Sequence, residues 1–340
     1  MVVRQTDAPD RVAWNAFVLA HPESTFFHLA EWGEVIRRAM GHPMTYLVAE
    51  EGGQIRGVLP LGRIRSRLFG DTLISVPFGV YGGALALEEA AYEELTRAAR
   101  GLAERLGVDC LELRNRIRRH KDWPHKELYV TFRRSLESDP EANLKKIPRR
   151  QRAMVRKGID AGLSSVVDDR SDRFYRLFAE SVRNLGTPVF SRRFFDTLRE
   201  VMGERCEVLT VLHEGRPVSS VMSFYFRDEV LPYYAGGTRE ARDLAANDFM
   251  YWELMRRACA RGVRIFDYGR SKRDTGSYRF KKHWGFEPEQ LYYECALVRA
   301  ARLPEVNPLN PKYALFVRTW KRLPLGFANL LGPWIAKDLG

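Results

Sequence analysis

The chain has 340 residues, 45% hydrophobic and 29% charged, a composition that fits a folded globular protein with room for two cores and excludes a disordered or fibrous chain. Lys and Arg outnumber Asp and Glu by 55 to 43, and the resulting net charge of +12 draws polyanions without choosing among nucleic acid, nucleotide phosphates and anionic lipid; arginine that merely solvates the surface accounts for it equally well. No window approaches the roughly 20 apolar residues of a membrane span, and the opening MVVRQTDAPDRVAWN lacks a signal-peptide core, so the expected compartment is the cytoplasm.

Along the chain the first clear unit is MTYLVAEEGGQIRGVLPLG (residues 44–62), two β-rich runs joined by a Gly-Gly turn, which predicts a hairpin. A basic loop, the apolar TLISVPF and YGGAL follow. EEAAYEELTRAARGLAERLG (88–107) then has helical periodicity and a glycine stop, and DCLELRN is the returning strand. The same order recurs in CEVLTVLHEGRPVSSVMSFYFRDEVLPYYAGG (206–237), the helix NDFMYWELMRRACARG with Asn247 as N-cap and Gly262 as stop, and the strand RIFDYG. A module of three strands, a helix and a fourth strand thus occurs twice, which predicts an α/β protein with an internal duplication. The expected boundaries are 1–139 for the first module, 140–300 for the second and 301–340 for a helical tail.

Between the copies, NLKKIPRRQRAMVRKGIDAGL (143–163) predicts a basic helix connecting the modules, either a rail for a phosphate backbone or a solvated face. In the tail, Asn310-Pro311 starts a helix through KYALFVRTWKRL, and LPLGFANLLGPWIAKDLG is apolar but broken by Gly and Pro. This last stretch is expected to pack back on the protein, with peripheral membrane contact as the alternative. The four cysteines form no CxxC pair and the seven histidines no HxxxH or HExxH, so no metal site is expected.

The densest chemistry lies in DYGRSKRDTGSYRFKKHWGFEP, residues 267–288. RIFDYG delivers Asp267 at a strand end, where α/β folds present reactive groups to a crevice, and an acid there serves as a base, an Arg partner or a cap. Arg270, Lys272 and Arg273 bind phosphate or pair with Asp267 and Asp274. Taken as extended, the next segment puts Tyr278 and Phe280 on one packed face, with Arg279 and Lys281 on a face free to meet an anion.

This stretch, together with AANDFMYWELMRRACARGV and IPRRQRAMVRKGIDAGL, resembles the FemAB family of peptidoglycan-precursor aminoacyltransferases, which are built from two acetyltransferase-like (GNAT) modules. FKKHWG, residues 280–285, matches that family's FKxxFG-type motif, with Trp284 at the usual Phe position. The closing NPLNPKYALFVRTWKRLP and FANLLGP are similar to the subgroup associated with exosortase (PEP-CTERM) and exopolysaccharide gene clusters. The coiled-coil insertion that some members carry for transfer RNA is absent from the sequence.

The resemblance implies two tandem GNAT-like modules with mixed sheets flanked by helices, and transfer of an acyl or aminoacyl group to an amine. The acceptor it implies is an anionic or lipid-linked saccharide precursor of the cell envelope or an exopolysaccharide, met at the inner face of the cytoplasmic membrane. The donor stays open between aminoacyl-tRNA and acyl-CoA, with no tightly bound cofactor. Through the motif match, Lys281 becomes the cation that stabilises developing charge or holds the donor's phosphates.

Acyl transfer needs a proton acceptor for the amine and stabilisation of the carbonyl oxygen. Asp267 is the candidate base, and no GxSxG elbow offers a covalent nucleophile. Tyr233 and Tyr234 line the cleft or fill the core. From the first module Arg63, Arg65, Arg67 and Tyr81 of PFGVYGG supply the opposite wall of the substrate site. The connection GGTREARDLAAND has no glycine turn just before its helix, which counts against a standard acetyl-CoA pyrophosphate seat. Alternatives are an acyl-CoA-dependent N-acetyltransferase and a non-catalytic interaction or nucleic-acid-binding protein; no motif for specific DNA recognition is present.

Overall fold

The computed structural model describes residues 1–66, 69–303 and 311–339, with side chains in the last segment from Ala314 onward. Arg67 and the Asn310 cap therefore lie outside the described residues. Contacts divide the chain into two units, the described parts of Met1–Tyr129, Gln290–Val306 and Lys337–Gly340, and those of Val130–Glu289 and Asn307–Ala336. This division is not linear, unlike the boundaries at 139 and 300 expected above. Residues 130–135 hydrogen-bond into the second sheet and residues 292–297 into the first, so backbone pairing overrides order along the chain.

In the first unit the strands are β1 (Val2–Thr6), β2 (Met44–Glu51), β3 (Gln54–Ser66), β4 (Gly70–Ser75), β5 (Leu85–Ala86), β6 (Cys110–Asn115), β7 (His125–Lys126) and β16 (Tyr292–Leu297), the number of the last reflecting its place in the chain. The sheet runs β1-β2-β3-β4-β6-β16-β7, with β5 beside β3. The β2–β3 hairpin turns on Gly52 and Gly53, both at positive φ (58° and 79°), as the Gly-Gly turn predicts. Three helices, α1 (Arg11–Ala20), α2 (Ala30–Val35) and α3 (Glu89–Leu106), belong to this unit. The apolar stripe of α3, Leu95, Ala99 and Leu102, packs on Leu47, Leu59 and Leu111 of the sheet. Helix α3 links β4 to β6, which pair in parallel.

The second unit repeats that order with β10 (Cys206–His213), β11 (Arg216–Phe226), β12 (Glu229–Gly237), α9 (Ala246–Ala260) and β13 (Ile265–Asp267). Its sheet runs β14-β8-β13-β12-β11-β10-β9 with β15 beside β8, where β8 is Tyr129–Ser135, β9 Ser164–Val167, β14 Ser271–Lys272 and β15 Pro288–Gln290. The remaining helices are α4 (Pro140–Lys146), α5 (Arg149–Asp160), α6 (Asp172–Leu185), α7 (Arg192–Met202), α8 (Glu240–Asp243), α10 (Gly276–His283), α11 (Pro311–Trp320) and α12 (Leu325–Ala336). Strand alternation sends Tyr234 and Gly236 of β12 toward α6 and Ala235 toward the core beneath α9, so the sheet is covered on both faces.

Three local expectations are corrected. The basic segment 143–163 is two helices, because Pro148 forces Ile147 out of the helical region, and it packs into the second unit through Ile147, Val155 and Gly158 instead of forming a bare connection. Helix α9 is capped at Ala245, in the left-handed region, and not at Asn247. Residues 278–282 are helical, since Thr275 caps α10 by accepting the Tyr278 amide.

Candidate active site in the second unit

Strands β12 and β13 pair in parallel at Glu229 with Ile265 and at Val230 with Phe266. Beyond those two residues β13 ends at Asp267 and the chain turns through Gly269, at φ 64°, while β12 runs on to Gly237. The two strands thus part beyond Val230.

Lys281 holds the turn. Its ammonium donates to the carbonyls of Tyr268 (2.7 Å), Gly269 (2.9 Å) and Arg270 (3.2 Å), which accounts for its three protons. It also sits 5.5 Å from the centre of the Phe132 ring. Helical phase explains why: Lys281 and Trp284, three residues apart, share the inward face of α10, whereas an extended segment would have turned Lys281 outward. The anion-facing position expected for Lys281 is thus corrected to one that organises the strand-end turn. Trp284 fixes the same helix, donating its indole N–H to Asp248 (2.9 Å), a carboxylate that Gln151 also reaches.

Asp267 is buried, at 2% exposure, and its Oδ1 accepts the Gly269 amide (2.7 Å) and the Thr131 hydroxyl (3.2 Å). Arg133, opposite it on β8, brings Nε to 3.2 Å from Oδ2 without hydrogen-bond geometry and also pairs with Glu229. Burial pushes the Asp267 carboxyl up to about 7, against the pull of the Gly269 amide and the Lys281 charge. Burial likewise brings the Lys281 ammonium down to about 7, against the opposing charge of Asp267, and Arg270 lowers it further. A carboxyl and an amine that feel one another and both titrate near neutrality can exchange a proton with a third group at little cost.

The other expected residues distribute as follows. Arg270 is exposed and its charge reaches both Lys281 and Tyr234. Lys272 is half-buried and its carbonyl accepts the Thr275 hydroxyl. Tyr278 lies edge-on to Phe132, and Phe280 is tilted against Tyr251 and Trp284. Tyr233 sits at a bulge of β12, against Phe224. Tyr234, by contrast, is core: it is buried among Phe178, Phe190, Phe194 and Phe195, and burial raises its phenol far above the usual value.

In the first unit Arg63 forms a two-point pair with Asp71 (2.9 and 2.6 Å). Tyr81 is buried in the loop after β4, its ring under Arg116 and its hydroxyl without a hydrogen-bond partner. Sequence reasoning missed Thr131, Arg133 and Gln151, whose partners lie some hundred or more residues away and leave no local signal. Among the described residues no three His, Cys, Asp or Glu converge as metal ligands, and no helix is long and apolar enough to cross a membrane.

The start of α9 differs from an anion seat: Ala245 and Ala246 are buried and Asp248 stands in the first turn.

Comparison with known proteins agrees with this architecture. Residues 144–282 match the family described as acetyltransferase (GNAT) domain. No curated protein matches the chain. Among solved structures the chain is similar to FemX, at a TM-score of 0.66 and 15% identity, over 86% of this chain and 97% of FemX. It is also similar to the C-terminal domain of a protein assigned as a lysylphosphatidylglycerol synthetase from Agrobacterium fabrum (TM-score 0.58, 14% identity, 92% and 97% covered). A third is a tandem GNAT protein from the clavulanic acid biosynthesis pathway (TM-score 0.55, 15% identity, 88% and 100% covered). At such identities the likeness speaks for fold, and the fold of this chain is two GNAT-like modules in tandem.

Proposed function

We propose that the protein is an N-acyltransferase of the FemAB type, moving an acyl or aminoacyl group onto an amine of a cell-envelope or exopolysaccharide precursor, with the chemistry in the second unit. The observation that carries this reading is the parting of β12 from β13 beside the Asp267–Lys281 pair. The amine nitrogen attacks the donor's carbonyl carbon, the ester or thioester bond breaks, and the leaving oxygen or sulfur takes a proton. The amine's proton passes to the Asp267 carboxylate through an intervening water, since Asp267 is buried, and a carboxyl titrating near 7 is matched to that task. Lys281 acts as a positioning residue for the strand-end turn.

Aminoacyl-tRNA is the donor better supported. Helices α4 and α5 expose Lys145, Lys146, Arg149, Arg150, Arg156 and Lys157, a spacing that neutralises successive phosphates. The buried, acid-bearing start of α9 is poorly suited to a pyrophosphate. The second reading, an acyl-CoA-dependent N-acetyltransferase, is favoured by the match of residues 144–282 to an acetyltransferase domain.

The test is binding of the full chain to aminoacyl-tRNA, deacylated tRNA and acetyl-CoA across a salt series. Saturable preference for charged tRNA is the expected result. Tight acetyl-CoA binding, with tRNA affinity that collapses as salt rises, would replace it with the second reading; binding of neither donor would leave a non-catalytic protein.

A further inference from the structure

Helix α12 is amphipathic in the opposite sense from a surface helix. Its small residues Ala328, Gly332 and Ala336 face inward, and Gly332 lies so close to Val189 that an added Cβ would stand 2.9 Å from the Val189 nitrogen. Its large apolar residues face solvent: Phe327 is 61% exposed, Leu330 65%, Leu331 47% and Trp334 73%. The spacing 327, 330, 331, 334 is one continuous stripe along the helix. No charged residue lies within α12, while Arg318, Lys321 and Arg322 are exposed in the segment just before it, where Leu315 is exposed as well. Monomeric proteins rarely leave such a stripe bare.

We infer that α12 is a docking face for an anionic lipid bilayer, lying in the headgroup plane with Phe327, Leu330, Leu331 and Trp334 inserted. Two features favour this occupant over a second copy of the chain. Arg318, Lys321 and Arg322 complement anionic headgroups but would repel their own counterparts across a symmetric contact between molecules that each carry a net charge of +12. Phe and Trp on an apolar face beside cations are the side chains that suit the boundary between acyl chains and water. The helix has 12 residues, about 18 Å at 1.5 Å per residue, well short of the roughly 30 Å hydrocarbon core, so it lies on the bilayer and does not cross it. The inference is independent of the transfer reaction, because neither donor nor acceptor enters it.

The experiment is co-sedimentation of the full chain with vesicles of phosphatidylglycerol and phosphatidylcholine, and with phosphatidylcholine alone, at low and moderate salt. The parent is compared with the double variant Phe327→Ser, Trp334→Ser and, separately, with the triple variant Arg318→Ser, Lys321→Ser, Arg322→Ser. The expected result is binding that prefers anionic vesicles and falls at least about tenfold in the double variant and several-fold in the triple, with thermal unfolding unchanged because the side chains are exposed. Failure of the parent to bind anionic vesicles at low salt overturns the proposal, as does equal binding by the double variant, which would assign the affinity to general positive charge. A concentration-dependent dimer lost in the double variant, without vesicle binding, assigns the face to a second copy instead.

Discussion

Strands β6 and β13 occupy equivalent places, each following the long helix of its unit and pairing in parallel with the strand before that helix, and each carries a buried carboxylate. The carboxylates fare oppositely. Burial alone would push Glu112 up, but Lys126 on one oxygen and Arg114 on the other, at 2.9 Å, outweigh it and hold the carboxyl at about 2. Glu112 in turn drives Lys126 above its ordinary value in spite of that lysine's own burial. Asp267 has a backbone amide and a hydroxyl where Glu112 has two well-aimed cations, and the nearest guanidinium is shared with Glu229. Burial therefore wins at Asp267 and at Lys281. One fold position thus carries a buried carboxyl in two electrostatic states, one held ionised by two cations and one raised by burial toward neutrality.

The sharpest way to break this contrast is Glu112→Ala, which strands Arg114 and Lys126 without their counter-ion. A loss of about 3–5 kcal/mol in urea unfolding is expected, and a loss below about 1 kcal/mol would mean that the pair is not locked. At the equivalent place Asp267→Asn keeps an acceptor for the Gly269 amide and the Thr131 hydroxyl, so the fold should persist while transfer slows by at least about 10²-fold with donor affinity retained. Undiminished turnover would remove Asp267 from the reaction.

The third effect is the smallest. The carboxyl of Asp267, raised from 3.8 toward 7, stabilises the fold fully below 3.8 and loses that contribution as pH rises through 7. Lys281, lowered from 10.5 toward 7, contributes fully above 10.5 and loses it as pH falls through 7. The pair thus contributes least near pH 7. The unfolding free energy of the parent minus that of the double variant Asp267→Asn, Lys281→Met should dip there by about 1–2 kcal/mol relative to pH 5.5 and pH 8.5, whereas a flat difference would show the two groups to be ordinary.

The duplicated modules were legible in the sequence because their signals are local: Gly52-Gly53 announces a hairpin, and the apolar stripe and glycine stop of α3 announce a helix. Pro148 carries the break between α4 and α5, although the basic run around it reads as a single helix. Helix α10 was misread because aromatic and basic residues alternate from Tyr278 to Lys281 as they would in a strand, although Thr275 already supplied a cap. That one change of period moved Lys281 from the surface to the centre of the turn. Asp267 stands out in the sequence by its place at a strand end, but the Thr131 hydroxyl and the Arg133 guanidinium that face it are brought beside it by β8 from far upstream. No window of sequence could have separated Tyr233 from Tyr234, because a bulge and the helices over β12 decide which is buried.

The return of β16 to the first sheet bears on how the protein comes into being on the ribosome. The first sheet is closed over β6 only by β16, whose Glu294 accepts the Asn115 side-chain amide and the backbone amides of Arg119 and His120. Until Leu297 is made, β6 keeps an open, template-ready edge, and at about 5–20 residues per second that wait lasts on the order of ten to forty seconds. The nascent amino-terminal half is thus a stage with an unpaired strand edge open to aggregation, and a truncation just before Tyr129 leaves the first sheet without β16 while the second keeps all its strands.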